Sequence, residues 1–180
     1  MGAPNPFDPR SAYGLGKRLA EHLCALYSSS ALETKAARGI AFVGPYLPLD
    51  IHLAIGNFIR DALNGGPIIV KGDGTPRRSY LYAADLAIWL WTILFNGQSL
   101  RPYNVGSDES LSIAEVAEWV AKQFPSKIMI EIHDTPNPLT PPERYIPDTK
   151  RAINELGLMA LVPVKIGVLR TIQFEQEKYV

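Results

Sequence analysis

The chain has 180 residues, 18 basic against 18 acidic, and 47% of them are apolar, which suffices for one domain with a real core and argues against a nucleic-acid surface, where Lys and Arg would be in excess. Its single cysteine, Cys24, excludes an internal disulfide and fits a reducing compartment. Residues 1–9 hold three prolines and no apolar run, and the longest apolar stretch, Leu86 to Phe95, is too short to span a bilayer, so the expectation is a cytoplasmic protein with neither nucleic acid nor membrane as partner.

Ser11 is placed to cap a helix over residues 11–28, with Leu15, Leu19, Leu23 and Leu26 along one stripe. Cys24, beside Leu23 and Leu26, reads as a small core residue. Ala36 to Val43 is a mostly apolar run ending at Gly44-Pro45 and predicts one buried strand, with Arg38 the polar exception. A proline-containing loop, Tyr46 to Asp50, leads to a helix over 52–64 that places Ile55, Phe58, Ile59 and Leu63 together and stops at Asn64-Gly65-Gly66. Pro67 to Val70 is a short strand, Gly72 to Pro76 a turn, and Ser79 to Tyr82 a short extended piece.

Ala83 to Phe95 is apolar nearly all round and predicts a buried helix. Pro102 to Gly106 reads as a strand. Ser112 with Glu115 three residues on forms a capping box for a helix reaching Phe124. Ile128 to Ile132 is an edge strand, and four prolines within residues 134–142 forbid a regular element there. A short helix from Thr149 to Leu156 ends at Gly157, and a last amphipathic helix covers 165–177. Strands and helices alternate, so the class is α/β, and a domain boundary falls near Gly44–Asp50.

The first helix carries Tyr13 and Lys17, four residues apart and therefore on one face. A cation beside a phenol favours the phenolate, whose parent pKa is normally about 10. Such a pair can move a proton on and off a sugar hydroxyl while a cofactor handles the redox step. No Gly-x-Gly-x-x-Gly turn joins a strand to a helix, and no Gly-Lys-Ser/Thr phosphate loop is present. Arginines are the other route to phosphate. Arg77 and Arg78 follow the glycine turn and Arg144 sits in a second loop, an arrangement that admits either a diphosphate clamp or surface ion pairing with Asp73, Asp85 or Glu143. His22, His52 and His133 are scattered and pair with no Cys or Glu at metal-ligand spacing; His52 and His133 read as loop or surface residues.

Six stretches together resemble one family, the NAD-dependent sugar-nucleotide epimerases and dehydratases of the extended short-chain dehydrogenase branch. They are Pro9-x-Ser11-x-Tyr13-x-x-x-Lys17; Arg38 with Gly44-Pro45; Asn57-Phe58-Ile59; Gly72-x-Gly74-x-x-x-Arg78-x-Tyr80-x-Tyr82-x-x-Asp85; Tyr103-Asn104-Val105-Gly106 leading to Leu111-Ser112-Ile113; and Arg144-Tyr145-x-x-Asp148-x-x-x-Ala152-x-x-x-Leu156-Gly157. The resemblance implies that residues 1–46 are the last helix and strand of a Rossmann-like NAD-binding fold. Residues 47–180 would be a small mixed α/β domain for a nucleotide-diphosphate sugar.

It makes Tyr13 the acid/base at the sugar C4 hydroxyl and Lys17 the partner that holds the cofactor ribose and assists Tyr13. Arg38 and Val43 would lie beside NAD, and Arg77 at the surface. Asn57 would contact the substrate, Ile69 would lie with Pro67 to Val70 against the base, and Arg78 and Arg144 would hold the diphosphate. The sequence departs from the family at Lys71, where many relatives carry an aromatic, and at Ala41, where an amide or hydroxyl is frequent. The glycine-rich NAD loop, the Ser or Thr of the catalytic triad and the acidic residues of the dehydratases are absent. The chain is therefore expected to be the C-terminal portion of such an enzyme, inactive unless an N-terminal NAD-binding half is supplied, with that half, or a second copy in a homodimer paired through the Tyr13 helix, as partner. The alternative is an inert sugar-nucleotide-binding or oligomerisation module.

Overall fold

A computed structural model describes residues 5–51 and 53–178. His52 lies outside the described residues. The chain enters through a tight 3-10 turn, Pro9–Ser11, capped by Asp8, whose carboxylate accepts from the Arg10 backbone N–H at 2.9 Å and from the Arg10 guanidinium at 2.8 Å. Helix α1 spans Ala12–Tyr27. Ser11 precedes it with helical backbone angles and makes no side-chain cap bond, so Asp8, one turn earlier, takes the capping role expected of Ser11.

Helix α1 buries none of its residues. Leu19, Leu23 and Leu26 are exposed and Cys24 is a free, exposed thiol rather than a core residue, because no second layer packs on that face among the described residues.

The run from Ala36 to Val43 forms two strands. β1 (Ala36–Gly39) pairs in parallel with β6 (Pro102–Val105), while β2 (Phe42–Val43) pairs in parallel with β5 (Leu81–Tyr82). The break at Ile40–Ala41 is where the backbone changes partner: Ile40 donates to Val105 O and Ala41 O accepts from Leu81. Helix α2 (Ala54–Leu63) then leads to β3 (Ile68–Val70), which pairs in parallel with β8 (Ile130–Ile132). β4 (Arg77–Arg78) is the middle of a small sheet, antiparallel to β7 (Leu111–Ser112) and parallel to β9 (Arg144–Tyr145).

Helix α3 (Ala83–Asn96) buries Asp85, Trp89 and Ile93 and leaves Ile88, Trp91, Leu94 and Phe95 exposed. Its apolar circumference exceeds the one face that β2, β5 and β6 cover, so the expected all-round burial does not occur. Asp85 is fully enclosed and its Oδ2 accepts from the Leu161 and Val162 amides at 3.0 and 2.9 Å, fixing the segment that follows α5 (Lys150–Leu156). Gly157 closes α5 in the left-handed region at φ 66°, where a side chain would be strained.

Helix α4 (Ile113–Ala121) begins with the expected capping box. Ser112 Oγ accepts from the Glu115 N–H at 3.1 Å and Glu115 Oε2 accepts from the Ser112 N–H at 2.6 Å, which holds the Glu115 carboxyl below the ordinary range. Helix α6 is Val164–Glu177. One core cluster joins α2, β3, α4 and α6 around Ile55, Ile59, Val116, Val120 and Ile172. A second joins α3, β5, β6 and α5 around Trp89, Ile93, Tyr103 and Val105. Among the described residues no helix is long and apolar enough to cross a membrane.

Candidate functional site

Tyr13 and Lys17 sit on the first turns of α1, both exposed, with Lys17 Nζ 5.4 Å from the Tyr13 ring centroid. The i, i+4 spacing alone produces this proximity. Two contacts show how α1 lies against the strand that follows. Thr34 Oγ1 donates to Cys24 O at 3.1 Å, and Arg38 Nε and Nη2 donate to Glu21 Oε1 and Oε2 at 2.6 Å each. As the chain advances from Thr34 to Arg38, its partners on α1 step back from Cys24 to Glu21. Between Thr34 and Arg38 the chain therefore climbs toward the helix N-terminus. Arg38 is engaged by Glu21, and the Val43 side chain is buried against Gly167 of α6.

A cleft between α2 and β3 has a volume of about 750 Å3. Asn57 on α2 and Ile69 on β3 both line it, together with Arg60 and Asp61 of α2 and Lys71 just after β3. Its floor includes Gly74, where φ is 75° and an added Cβ would meet the Ala114 Cβ at 3.0 Å. Glycine there lets the turn press against the start of α4.

The wall ends at Pro76, two residues before Arg78. Arg78 is half-buried; its Nη2 donates to Glu143 Oε2 at 3.1 Å, its Nη1 donates to Arg77 O at 3.1 Å, and its guanidinium lies 5.9 Å from the Tyr145 ring centre. Arg77, expected at the surface, is half-buried and donates to Ser110 Oγ at 2.7 Å and Ser110 O at 2.8 Å.

Arg144 belongs to a strand rather than a loop. β9 aligns Arg144 with Arg77 and Tyr145 with Arg78. Side chains alternate along a strand, so Arg78 and Tyr145 share one face and Arg77 and Arg144 the other. The structure therefore places Asn57 and Ile69 on one cleft and Tyr13 beside Lys17, and sets Arg78 and Arg144 on adjacent strands but opposite faces. Ion pairing, the second reading of the arginines, applies to Arg78 through Glu143. Arg60 and Asp61 are absent from the sequence-based site. Their signal was their spacing, three and four residues after Asn57 on the same helical face. Among the described residues no cluster of three His, Cys, Asp or Glu side chains is placed to hold a metal ion.

Residues 3–106 match the model of the NAD dependent epimerase/dehydratase family, and the chain belongs to that family. It is 32% identical over 174 residues to UDP-glucuronic acid decarboxylase 1 of Danio rerio, covering 96% of this chain and 41% of the relative. It is 31% identical over 169 residues to UDP-glucuronic acid decarboxylase 5 of Arabidopsis thaliana, covering 93% and 48%. The chain thus spans less than half the length of these curated relatives. Among solved structures, UDP-glucuronic acid 4-epimerase of Bacillus cereus, in complex with UDP-glucuronic acid and NAD, superposes with a TM-score of 0.78 at 22% identity, covering 99% of this chain and 58% of the epimerase. dTDP-glucose 4,6-dehydratase of Bacillus anthracis, in complex with NAD, gives 0.76 at 22% identity, covering 98% and 56%. At this identity the likeness defines the fold: a mixed α/β, Rossmann-like epimerase/dehydratase architecture with parallel strand pairs.

Proposed function

We propose that this chain binds a nucleotide-diphosphate sugar in the α2–β3 cleft and supplies Tyr13 and Lys17 to an NAD-dependent epimerase, dehydratase or decarboxylase reaction on the sugar. The observation that carries this reading is the cleft itself: in a member of this family, Asn57 and Ile69 line one cleft of about 750 Å3, large enough for a nucleotide. The division of labour is between residues 1–46 on the cofactor side and 47–180 on the substrate side. The strand pairs β1–β6 and β2–β5 tie the two together.

Tyr13 and Lys17 fit a dinucleotide, because both are exposed and neither hydrogen-bonds another group among the described residues. Arg38 and Val43 fit it less well through their side chains, since one is paired with Glu21 and the other is buried. The dinucleotide, when bound, supplies oxidation and reduction at the sugar carbon. Tyr13 takes and returns the proton of the C4 hydroxyl, and the Lys17 ammonium holds the cofactor ribose. Arg78 supplies positive charge to the diphosphate after release from Glu143; Arg144, on the opposite face of the strand pair, fits that role less well. The glycine-rich half of the dinucleotide site comes from an N-terminal NAD-binding segment or a partner chain.

A second reading, an inert binding or oligomerisation module, draws on α1, which buries no residue and exposes Leu19, Leu23 and Leu26. Calorimetric titration separates the two. UDP-glucuronic acid, the substrate named for the curated relatives, should give saturable heat, reduced by Asn57→Ala and by Arg78→Ala. Turnover on addition of NAD and an N-terminal NAD-binding segment should be lost in Tyr13→Phe. No heat with UDP-glucuronic acid or UDP would overturn nucleotide-sugar binding. Binding without any Tyr13-dependent turnover would leave the binding module.

A further inference from the structure

Asn57, Arg60 and Asp61 form one connected group on the cleft-facing side of α2. Arg60 Nη1 donates to Asn57 Oδ1 at 3.2 Å, and Arg60 Nε and Nη2 donate to Asp61 Oδ1 at 3.1 and 2.7 Å. Nη1 also reaches Leu49 O at 3.4 Å, in the loop before the helix. The second oxygen of Asp61 accepts from the Ile69 backbone N–H of β3 at 3.4 Å. Asp61 is well enclosed, with 15% of its side chain exposed against 41% for Arg60. All four residues line the cleft.

The chemistry of the pair fixes the direction of the Asn57 amide. A guanidinium has five N–H donors and no acceptor, so only the carbonyl oxygen of Asn57 can face it. That contact takes one lone pair of the side-chain oxygen and turns the two amide N–H groups away from Arg60. A free asparagine could flip and meet either a donor or an acceptor; this one, its oxygen held by Arg60, has its N–H groups directed to other partners. The Lys71 ammonium on the β3 side, unpaired among the described residues, adds a second donor without an acceptor.

We propose that Arg60, steadied by Asp61, is a positioning residue that locks Asn57 as a hydrogen-bond donor, making this stretch of the cleft selective for an acceptor group, a phosphoryl or carbonyl oxygen. The proposal rests on the reading of Asn57 as a substrate contact and adds which way that contact points and what enforces it. Asp61 has a second consequence. Through Ile69 it couples the helix wall to the strand wall, so loss of its charge loosens both.

The test is a double-mutant cycle read by calorimetric titration of UDP into the 180-residue chain. Asn57→Ala should weaken binding about tenfold, the effect of losing one charge-assisted contact. Arg60→Ala should weaken it about three- to tenfold with Asn57 present, and by nothing further once Asn57 is alanine. Arg60→Lys, which still donates, should restore most of the loss. Asn57→Asp should bind no better than Asn57→Ala, because the carboxylate keeps Arg60 and has no donor. Equal losses from Arg60→Ala in both backgrounds would overturn the proposal, since a merely structural or general electrostatic role is additive. So would full affinity in Asn57→Asp.

A ligand-free measurement separates this failure from that of the underlying reading. The Asn57 side-chain amide should be rigid by 15N relaxation in the wild-type chain and mobile in Arg60→Ala. Equal mobility in both overturns the positioning role whatever binds. Failure of the wild-type chain to bind UDP, with the amide rigid as described, removes the nucleotide assignment and leaves the locked donor standing.

Discussion

Arg38 on β1 and Glu21 on α1 meet through two parallel hydrogen bonds of 2.6 Å, the geometry a guanidinium and a carboxylate make when both forks align. The bond from Arg38 holds the Glu21 carboxyl below its ordinary value of 4.5. Because α1 buries none of its residues, this pair and the Thr34 bond to Cys24 O are the principal polar ties between the strand and the helix that carries Tyr13 and Lys17. A helix held by side-chain bonds rather than a packed face opens locally before the core does.

Glu21→Gln should therefore loosen α1 selectively. Both side chains are over a third exposed, so solvent screens the pair and it contributes at most about 1 kcal/mol, or about a fivefold change in local opening. Amide hydrogen exchange should accelerate by that factor over residues 12–27 and stay unchanged in α2 and α4. The pH dependence follows from the depressed carboxyl. Its contribution is present above the unfolded value of 4.5 and lost as pH falls through the lower folded value. Wild-type α1 should begin to exchange like the Gln variant below that point. Equal protection of α1 in both proteins at neutral pH would remove the tether from the account.

Asp85 should prove structural despite standing in a motif shared with enzymes. Its Oδ2 accepts from two consecutive amides, of Leu161 and Val162, 76 and 77 residues away in sequence. Asp85→Ala leaves those donors unpaired and should destabilise the fold by about 1–3 kcal/mol in urea melts. Asp85→Asn keeps a carbonyl acceptor and should recover most of the loss. A full loss in the Asn variant would mean that the charge, rather than the acceptor, matters.

The capping box at Ser112 and Glu115, the left-handed Gly157 and the core face of α2 were legible because each is a local rule: a side chain meeting a backbone group a few residues away. What was not legible depends on who the neighbours are. Ala36 to Val43 reads as one strand, yet it splits because β6 partners its first half and β5 its second. Leu19, Leu23 and Cys24 have a core pattern and no core to enter. The same distinction governs the site. Tyr13 and Lys17 follow from helical spacing, whereas the separation of Arg78 from Arg144 follows from the register of β4 and β9, which no local pattern encodes.

Tyr80 gives an alkaline signature. It is 4% exposed, and burial pushes its phenol up to about 12, partly offset by the nearby Arg78 cation. The folded pKa lies above the unfolded value of 10.0, so this contribution is complete below pH 10 and is lost as pH rises toward about 12. The loss should reach about 2–3 kcal/mol at the upper end, by a shift of about two units. Urea midpoints across that range should fall in the wild-type chain and fall less in Tyr80→Phe. Ultraviolet absorbance should show one tyrosine ionising last. Parallel curves for the two proteins would contradict the assignment.

Glu143 competes with any anion for Arg78. Its carboxylate accepts from Arg78 Nη2 at 3.1 Å, and its backbone oxygen accepts from the Arg77 N–H at 2.7 Å, so the loop stays docked when the side chain lets go. Glu143 is 70% exposed at the side chain against 26% for Arg78, which makes the carboxylate easy to release and the guanidinium the fixed partner. Glu143→Gln should raise UDP affinity about two- to fivefold, the range expected of one screened ion pair, and the gain should shrink at high salt. Adding Arg78→Ala should abolish the gain, because the competitor then has nothing to vacate. Unchanged affinity in Glu143→Gln would mean that the diphosphate does not use the Arg78 guanidinium that Glu143 occupies.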